Sequence, residues 1–187
     1  MENCEFALAR KELKVTKGHK GFKFNTGKNI TIEEDLARRD ITINSIAENV
    51  LTGEIIDPFN GRLDIENKVI RKTTDAFKED PLRVYRVARF ASTLEFMVEE
   101  STIKAMEFLR EELLTLSKER VFNEFQKALA SKKPSRFFEV LKKANVLDVH
   151  FKEIYNLIGK TQPIKYHPEG DSYNHTMIVV DNSSKLT

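Results

Sequence analysis

The residues of this chain that could do chemistry are concentrated in positions 79–90, which read Glu-Asp-Pro-Leu-Arg-Val-Tyr-Arg-Val-Ala-Arg-Phe. Pro81 suits the first position of a helix, where its missing N–H is not needed, and Asp80 before it is a good N-cap. In a helix that begins there, arginines recur every three residues within about a third of the circumference. They are Arg83, Arg86 and Arg89. Such guanidinium groups repel one another unless a polyanion lies among them. A nucleoside triphosphate is the candidate, because the planar arginine forks match phosphate oxygens.

A purely structural interpretation of the same helix stays open at this point. Asp80 can act only as a cap, and the arginines can form a solvated face whose aliphatic stems cover the core. Charged surface faces are common, so the spacing alone favours this structural interpretation. The surrounding segments have to decide it.

The composition is that of a helix-rich globular protein. Hydrophobic residues make up 40% of the 187 positions and charged residues 32%, which suffices for the core of one large domain or two small ones. The net charge of +2 does not indicate nucleic-acid binding over the whole surface, so a basic surface would be local.

The sequence shows neither a secretory signal peptide nor a transmembrane segment. Its one cysteine, Cys4, excludes an intramolecular disulfide and fits a reducing compartment. The first residues lack the basic start and apolar core of a signal peptide, and no apolar run approaches the roughly 20 residues that span a bilayer. We therefore expect a soluble, cytoplasmic protein.

Glycine divides the chain into two parts. Five of the seven glycines lie in residues 1–61, and none lies between Arg62 and Ile158. Because glycine favours turns and weakens helices, we expect strands and turns in the first part and almost only helices in the second. The sequence therefore predicts an α+β fold.

The first part contains several recognisable local signals. Residues 4–10 predict a strand, residues 22–24 predict a returning strand, and Thr31 has the spacing of a capping box with Glu34. Residues 53–61 predict a short strand that ends in a Pro-Asn-Gly turn. The isoleucines between these signals leave helix and strand open: Ile41, Ile43 and Ile46.

Five helical patterns follow in the second part. They are the arginine-bearing helix, a run that reaches Leu113, and residues 119–130, 134–144 and 175–180. We expect Ser101 or Thr102 to cap the second pattern and Ser117 to cap the third. Within the third pattern, Arg120 and Glu124 have the four-residue spacing of an ion pair.

Four of these segments, in order and at suitable spacing, match motifs that occur together in one enzyme family. Residues 38–47 resemble an RRD-x-T-I-N-A segment, and residues 53–61, followed by Asp64 and Ile70-Arg71, resemble a G-x-I-I-D-P-F-x-G motif with its hinge. Residues 79–90 resemble an E-D-x-x-R nucleotide-recognition helix, and residues 120–124 an R-x-x-x-E segment. The family is that of the class II tRNA nucleotidyltransferases (CCA-adding enzymes) and bacterial poly(A) polymerases.

The resemblance implies three parts of the chain. Residues 1–61 would be the distal part of a nucleotidyltransferase head, and residues 62–131 an all-helical, RNA-binding neck with the recognition helix. Residues 132–187 would begin a helical body, since residues 167–176 resemble the start of the HD-type domain of some CCA-adding members. The first strand begins almost at the first residue and lacks neighbours, so we expect a fragment of a longer protein.

The resemblance also assigns a nucleotide-binding set: Arg39, Asp80, Arg83, Arg86 and Arg89. In the family, the helix reads the Watson–Crick edge of incoming ATP or CTP, which would be the task of Asp80 and Arg83, braced against each other. The other three arginines would contact the triphosphate. Asp40 and Asn44 would contact the ribose or order their segment.

Other motif residues are expected to have structural tasks. The match implies turn chemistry for Asp57, Pro58 and Gly61 rather than ligand contacts. Arg120 and Glu124 are expected to brace helices.

The chain departs from the family at the catalytic metals. Nucleotidyl transfer there uses two Mg²⁺ ions held by a D-x-D pair, and this chain contains neither D-x-D nor the G-G-x-x-R-D phosphate loop that precedes it. Glu5 is a weak candidate for a supporting acid. We therefore expect no catalytic residue in this chain, weak binding of ATP and CTP, and dependence on a missing N-terminal segment for transfer to the tRNA 3′ end.

A histidine-containing segment near the end has ligand types but not a complete site. His167, Glu169, Asp171 and His175 are metal ligands by type, and His175 would be the first ligand of an HD-type site in a longer protein. The further ligands of such a site are not present in this sequence. We expect no bound metal here.

Two alternatives to a CCA-adding enzyme fragment remain at this stage. A bacterial poly(A) polymerase shares the recognition helix, although residues 5–10 and the segment around His167 favour the CCA-adding side. A non-catalytic RNA- or nucleotide-binding module belongs to another class. Coding sequence upstream of Met1 with the D-x-D motif would distinguish the enzyme fragment from this module.

Overall fold

The computed structural model describes residues 10–14, 22–26 and 30–183. β1 (Arg10–Lys14) pairs antiparallel with β2 (Phe22–Thr26), and Arg10 lies opposite Thr26. The predicted returning strand at residues 22–24 is thus confirmed. Residues 4–9, where another strand and Glu5 were predicted, lie outside the described residues.

α1 (Ile32–Ala37) begins at the predicted capping box. The Thr31 hydroxyl accepts from the N–H of Glu34, and the Glu34 carboxylate accepts from the N–H of Thr31, both at 3.3 Å. The isoleucine-rich segment that follows is neither a regular helix nor a regular strand. Buried Ile41 forms a β-bridge to Lys72 and leads into a single 3₁₀ turn, Thr42–Asn44.

A small hairpin and a tight turn complete the first part. β3 (Ala47–Glu48) pairs antiparallel with β4 (Ile55–Ile56), and α2 (Gly61–Glu66) follows. The Asp57 carboxylate accepts from the N–H groups of Gly61 at 2.7 Å and Arg62 at 2.9 Å, so it serves the turn as expected. A Cβ on Gly61 would lie 2.3 Å from the Thr42 carbonyl oxygen, which explains why glycine occupies this position.

Two short strands interrupt the stretch that was predicted to be almost entirely helical. β5 (Val69–Ile70) pairs parallel with β6 (Met97–Val98), and α3 (Arg83–Leu94) lies between them in the sequence. A strand of two residues is too short to show the alternation of apolar and polar residues that identifies a strand, so hydrophobic periodicity could not predict β5 or β6. The prediction is corrected at these two places.

The remaining elements are helices. They are α4 (Glu100–Phe108), α5 (Arg110–Leu113), α6 (Lys118–Leu129), α7 (Ser135–Lys143), α8 (Leu147–His150), α9 (Lys152–Tyr155) and α10 (Ser172–Ser183). The α+β fold is confirmed, whereas the division at residues 61 and 131 stays a prediction. Within the described part of the chain, no helix is long and apolar enough to cross a bilayer.

The two predicted serine caps have different outcomes. Ser117 caps α6, accepting from the N–H of Arg120 at 3.4 Å. α4 is instead capped by Glu99, whose carboxylate accepts from the N–H of Thr102 and the hydroxyl of Ser101. A longer acidic side chain can reach the same donors that a serine cap would reach.

The two serines are therefore expected to differ when each is replaced by alanine. Ser117→Ala should lower the free energy of unfolding by about 1 kcal/mol, the typical loss for an N-cap. Ser101→Ala, the matched control, should stay within about 0.5 kcal/mol because Glu99 still caps α4. Urea unfolding of both variants tests this, and equal losses would contradict the assignment of the caps.

α3 lies at the centre of the core. It packs against α6 and α7, and its Tyr85 ring, fully buried, stacks on Phe137 at 6.4 Å between centroids. Burial raises the pKa of Tyr85 and, with the charge of Lys118, lowers the pKa of His150. The Tyr85 hydroxyl and His150 Nδ1 form a hydrogen bond of 2.6 Å. These contacts fix the rotation of α3 about its axis and direct its arginines towards residues 38–44 and α6.

Candidate nucleotide-binding site

A polar cavity of about 520 Å³ lies where residues 38–44 meet the start of α3 and the first turn of α6. Five arginines and only two aspartates line it, together with Asn44 and Leu82. The charged residues are Arg38, Arg39, Arg83, Arg86, Arg120, Asp40 and Asp80. A concave surface with excess positive charge attracts polyanions, so a phosphorylated ligand suits this cavity.

The cavity brings together six of the seven residues that the sequence singled out for nucleotide or ribose contacts: Arg39, Asp40, Asn44, Asp80, Arg83 and Arg86. Arg89 is the one that does not line it. Two further lining arginines were not in the predicted set. Arg38 belongs to the RRD segment and Arg120 to the R-x-x-x-E segment, so only the family motifs, and not helical spacing, could have indicated them.

Asp80 is held from two sides. It follows a 3₁₀ turn, Asp75–Glu79, and precedes α3, which begins at Arg83, after Pro81 rather than at it. Asp80 Oδ1 accepts from the N–H of Leu82 at 3.1 Å, and Oδ2 accepts from Arg120 Nη2 at 3.4 Å. The side chain remains 26% exposed, so a carboxylate of fixed orientation faces the cavity.

Arg83 is nearly buried and ties two segments together. Its guanidinium donates to the carbonyl oxygens of Ala76 at 2.5 Å and Arg38 at 2.6 Å. The predicted bracing of Arg83 against Asp80 is therefore corrected, because Asp80 pairs with Arg120 instead. The reason is competition for partners: two backbone carbonyls hold the Arg83 guanidinium, and Arg120 holds the Asp80 carboxylate.

The RRD segment meets α3 through Asp40. Its Oδ2 accepts from Arg86 Nε at 2.7 Å, and its Oδ1 accepts from the N–H of Ile41 and from Asn44 Nδ2. Arg39 donates to the carbonyl oxygen of Asn44 at 3.0 Å and keeps 44% of its side chain exposed. Asp40 thus orders its segment, while Arg39 and half-exposed Arg86 present cations to the cavity.

Arg89 forms a brace between two helices. Its Nε donates to Glu124 Oε2 at 2.6 Å, and its guanidinium lies 4.0 Å from the centroid of the Phe90 ring. Both members of the ion pair are largely buried. The predicted pairing of Glu124 with Arg120 is corrected, since each residue instead contacts α3 or the segment before it. The predicted contact of Arg89 with phosphate stays a prediction.

Acidic groups suitable for Mg²⁺ are lacking among the described residues of the cavity. Mg²⁺ prefers several oxygen ligands in octahedral geometry. The two lining carboxylates, Asp40 and Asp80, are each bonded to an arginine and to a backbone N–H. The two carboxylates that line the cavity therefore do not fit the catalytic metals of the family.

A separate cluster with metal-ligand types lies around the start of α10. His167, Glu169 and His175 place one ligand atom each within 4.8 Å of one another. His175 Nδ1 already contacts Glu169 Oε1, and Asp171 caps α10 rather than joining the cluster, accepting from the N–H of Asn174 at 3.1 Å. Two imidazoles and one carboxylate do not resemble a magnesium site.

Comparisons with known proteins agree with the motifs. Residues 2–71 match the family model of the poly(A) polymerase head domain, and residues 95–157 match a model described as the probable RNA and SrmB-binding site of polymerase A. The chain is 43% identical to the multifunctional CCA protein of Haemophilus ducreyi and 47% identical to that of Haemophilus influenzae. These matches cover 97% and 98% of this chain but 45% of each relative. The chain thus spans slightly less than half the length of these curated relatives.

Solved structures show the same likeness. A tRNA nucleotidyltransferase complexed with a primer tRNA and an incoming ATP analog matches with a TM-score of 0.60 and 33% identity, over 71% of this chain and 43% of the other. The Bacillus stearothermophilus CCA-adding enzyme in complex with CTP matches with a TM-score of 0.57 and 34% identity, over 70% and 38%. By both head and RNA-binding segments, the chain belongs to the family of class II tRNA nucleotidyltransferases and bacterial poly(A) polymerases.

Proposed function

We propose that this chain supplies the nucleotide-recognition part of a tRNA nucleotidyltransferase and binds ATP and CTP in the cavity at the start of α3. The observation that carries the proposal is Asp80, a carboxylate held by two donors in the wall of a cavity with five arginines. Such a wall offers one acceptor of fixed position for a base and several cations for phosphates.

The fixed carboxylate of Asp80 would explain a preference for some bases over others. Adenine and cytosine carry an amino group at the position where guanine and uracil carry a carbonyl oxygen. An ionised carboxylate only accepts hydrogen bonds, so Asp80 favours the two amino bases and repels the two carbonyl bases. Arg83 is proposed to donate to the same base edge, with its guanidinium plane fixed by the Ala76 and Arg38 carbonyls.

The exposed cations are proposed to hold the triphosphate. Arg39 and Arg86 both line the cavity, and their side chains are 44% and 36% exposed. In the free chain these arginines are paired with Asp35 and Asp40, and a triphosphate of higher charge would compete for them. The geometry of Arg89 supports the brace to Glu124 as its main task.

The reaction of the whole protein is proposed from its relatives. In that proposal, CMP and AMP are added to the 3′ end of tRNA in the cytoplasm, with Mg²⁺ held by carboxylates other than those of the cavity. The curated relatives named above are CCA proteins. No observation favours poly(A) addition or a non-catalytic module over this reaction.

Replacing Arg86 by alanine is expected to weaken the binding of ATP, CTP, GTP and UTP alike. An exposed ion pair contributes up to about 1 kcal/mol, so each dissociation constant should rise roughly fivefold. Because the lost interaction is between exposed charges, the difference from wild type should shrink at high salt. Isothermal titration calorimetry of the 187-residue chain with each nucleotide, at two salt concentrations, is the measurement.

Arg62→Ala is the matched control, since Arg62 is an exposed arginine outside the cavity whose turn contact uses only its backbone N–H. It should leave all four dissociation constants unchanged. Absence of any nucleotide binding by the wild-type chain, or equal effects of the two variants, would refute the proposed site.

A further inference from the structure

We infer that Arg120 is a positioning residue for base selection, which acts by holding the carboxylate of Asp80 in the orientation that reads the base. The inference rests on the proposed function and deepens it. It assigns a role in nucleotide selection to α6. Arg120 of this helix contacts Asp80, which lies 40 positions earlier in the sequence.

The position of Arg120 is well defined. Its backbone N–H donates to the Ser117 hydroxyl, which caps the N-terminus of α6, so Arg120 lies in a capped first turn. Its side chain crosses to Asp80, with Nη2 3.4 Å from Oδ2, and lines the cavity on the way. Only 25% of the side chain is exposed, which limits the directions that it can take.

A second ion pair fixes α6 relative to α3. One turn after Arg120, Glu124 accepts from Arg89 at 2.6 Å. The two ion pairs therefore have opposite polarity: α6 contributes the cation Arg120 to the first pair and the anion Glu124 to the second. A shift of either helix by one turn would bring like charges together, so this pattern keeps Arg120 opposite Asp80.

The Arg120 guanidinium also has a hydrogen-bond donor that is not satisfied by any described residue. Arg120 Nη1 is buried and has no hydrogen-bond partner among the described residues. A buried donor without a partner is costly, so an acceptor that reached Nη1 would stabilise this arrangement. The guanidinium thus orients Asp80 through Nη2, while Nη1 is left without a partner among the described residues.

Without Arg120, the one side-chain contact that Asp80 keeps among the described residues is that from the N–H of Leu82, which binds Oδ1 and leaves Oδ2 free to rotate. A carboxylate in several orientations discriminates less between amino and carbonyl bases. We expect Arg120→Ala to reduce the preference for ATP and CTP over GTP and UTP by about three- to tenfold, which lies in the lower part of the range of pairwise couplings between contacting residues. Arg120→Lys, which restores one charged donor, should recover part of the preference.

The experiment is a double-mutant cycle of Arg120→Ala and Asp80→Ala, read by calorimetric titration with all four nucleotides. If Arg120 acts through Asp80, adding Arg120→Ala to Asp80→Ala should not change the preference further. Lys118→Ala, which removes an exposed charge from the same turn of α6, is the matched control and should retain the wild-type preference. Thermal unfolding of each variant separates a loss of preference from a loss of fold.

The outcomes separate the two proposals. If Asp80→Ala abolishes the preference and Arg120→Ala leaves it intact, the positioning role is overturned and the proposed function stands. Additive effects in the double variant would also overturn it, since Arg120 would then act independently of Asp80. If the wild-type chain shows no preference among nucleotides, the proposed base reading fails, and this inference fails with it.

Discussion

Incubated alone with magnesium, labelled CTP or ATP and a tRNA that lacks its terminal CCA, this chain is expected to incorporate no nucleotide. Two-metal transfer needs carboxylates that hold both ions, and the sequence contains no D-x-D pair. The carboxylates of the cavity cannot substitute, because Asp40 and Asp80 are bonded to Arg86 and Arg120. The expected loss is complete rather than partial.

The control is a full-length multifunctional CCA protein assayed on the same tRNA, which shows that substrate and conditions support transfer. A mock preparation from cells without the expressed chain sets the background. Incorporation by the chain that depends on magnesium and clearly exceeds this background would contradict the account. It would mean that acids other than a D-x-D pair hold the metals.

Local signals in the sequence predicted the local structure well. The capping box of Thr31 and Glu34, the cap of α6 at Ser117 and the turn around Asp57 all depend on residues a few positions apart. Such motifs satisfy backbone donors within their own turn, so their spacing is enough to identify them. The family motifs likewise indicated six of the residues that line the cavity.

The ion pairs of the site could not be predicted from spacing. Asp80 and Arg120 are 40 residues apart, Asp40 and Arg86 are 46 apart, and Arg89 and Glu124 are 35 apart. Helical spacing identifies neighbours at three or four residues, and it suggested Asp80 with Arg83 and Arg120 with Glu124. Which helix faces meet depends on the packing of α3 against α6 and α7, and that packing is a property of the whole core.

The short strands show a second limit. Residues 69–70 and 97–98 form a parallel pair that the glycine-poor composition of this region did not suggest. A fully regular pattern needs more than two residues to appear, so the tertiary partner decides the conformation of these segments. The same reason explains why the isoleucine-rich segment around Ile41 left helix and strand open.

Asp80 is proposed to read the base, and replacing it by alanine is expected to abolish the preference for ATP and CTP over GTP and UTP. A hydrogen bond to a charged group contributes about 1.5–3 kcal/mol, which corresponds to a discrimination of roughly tenfold or more. Arg86→Ala, in contrast, should weaken the binding of all four nucleotides alike, because the proposed contact of Arg86 with phosphate does not distinguish bases. Asp80 also accepts from the N–H of Leu82, so the unfolding temperature of the variant has to be measured alongside.

Calorimetric titration of the wild-type chain and of Asp80→Ala with each of the four nucleotides shows whether Asp80 reads the base. Wild type should bind ATP and CTP more tightly than GTP and UTP, and the four dissociation constants of the folded Asp80→Ala chain should be similar. If the folded variant keeps the wild-type preference, Asp80 only caps the start of α3, and the base-reading role of this site is contradicted.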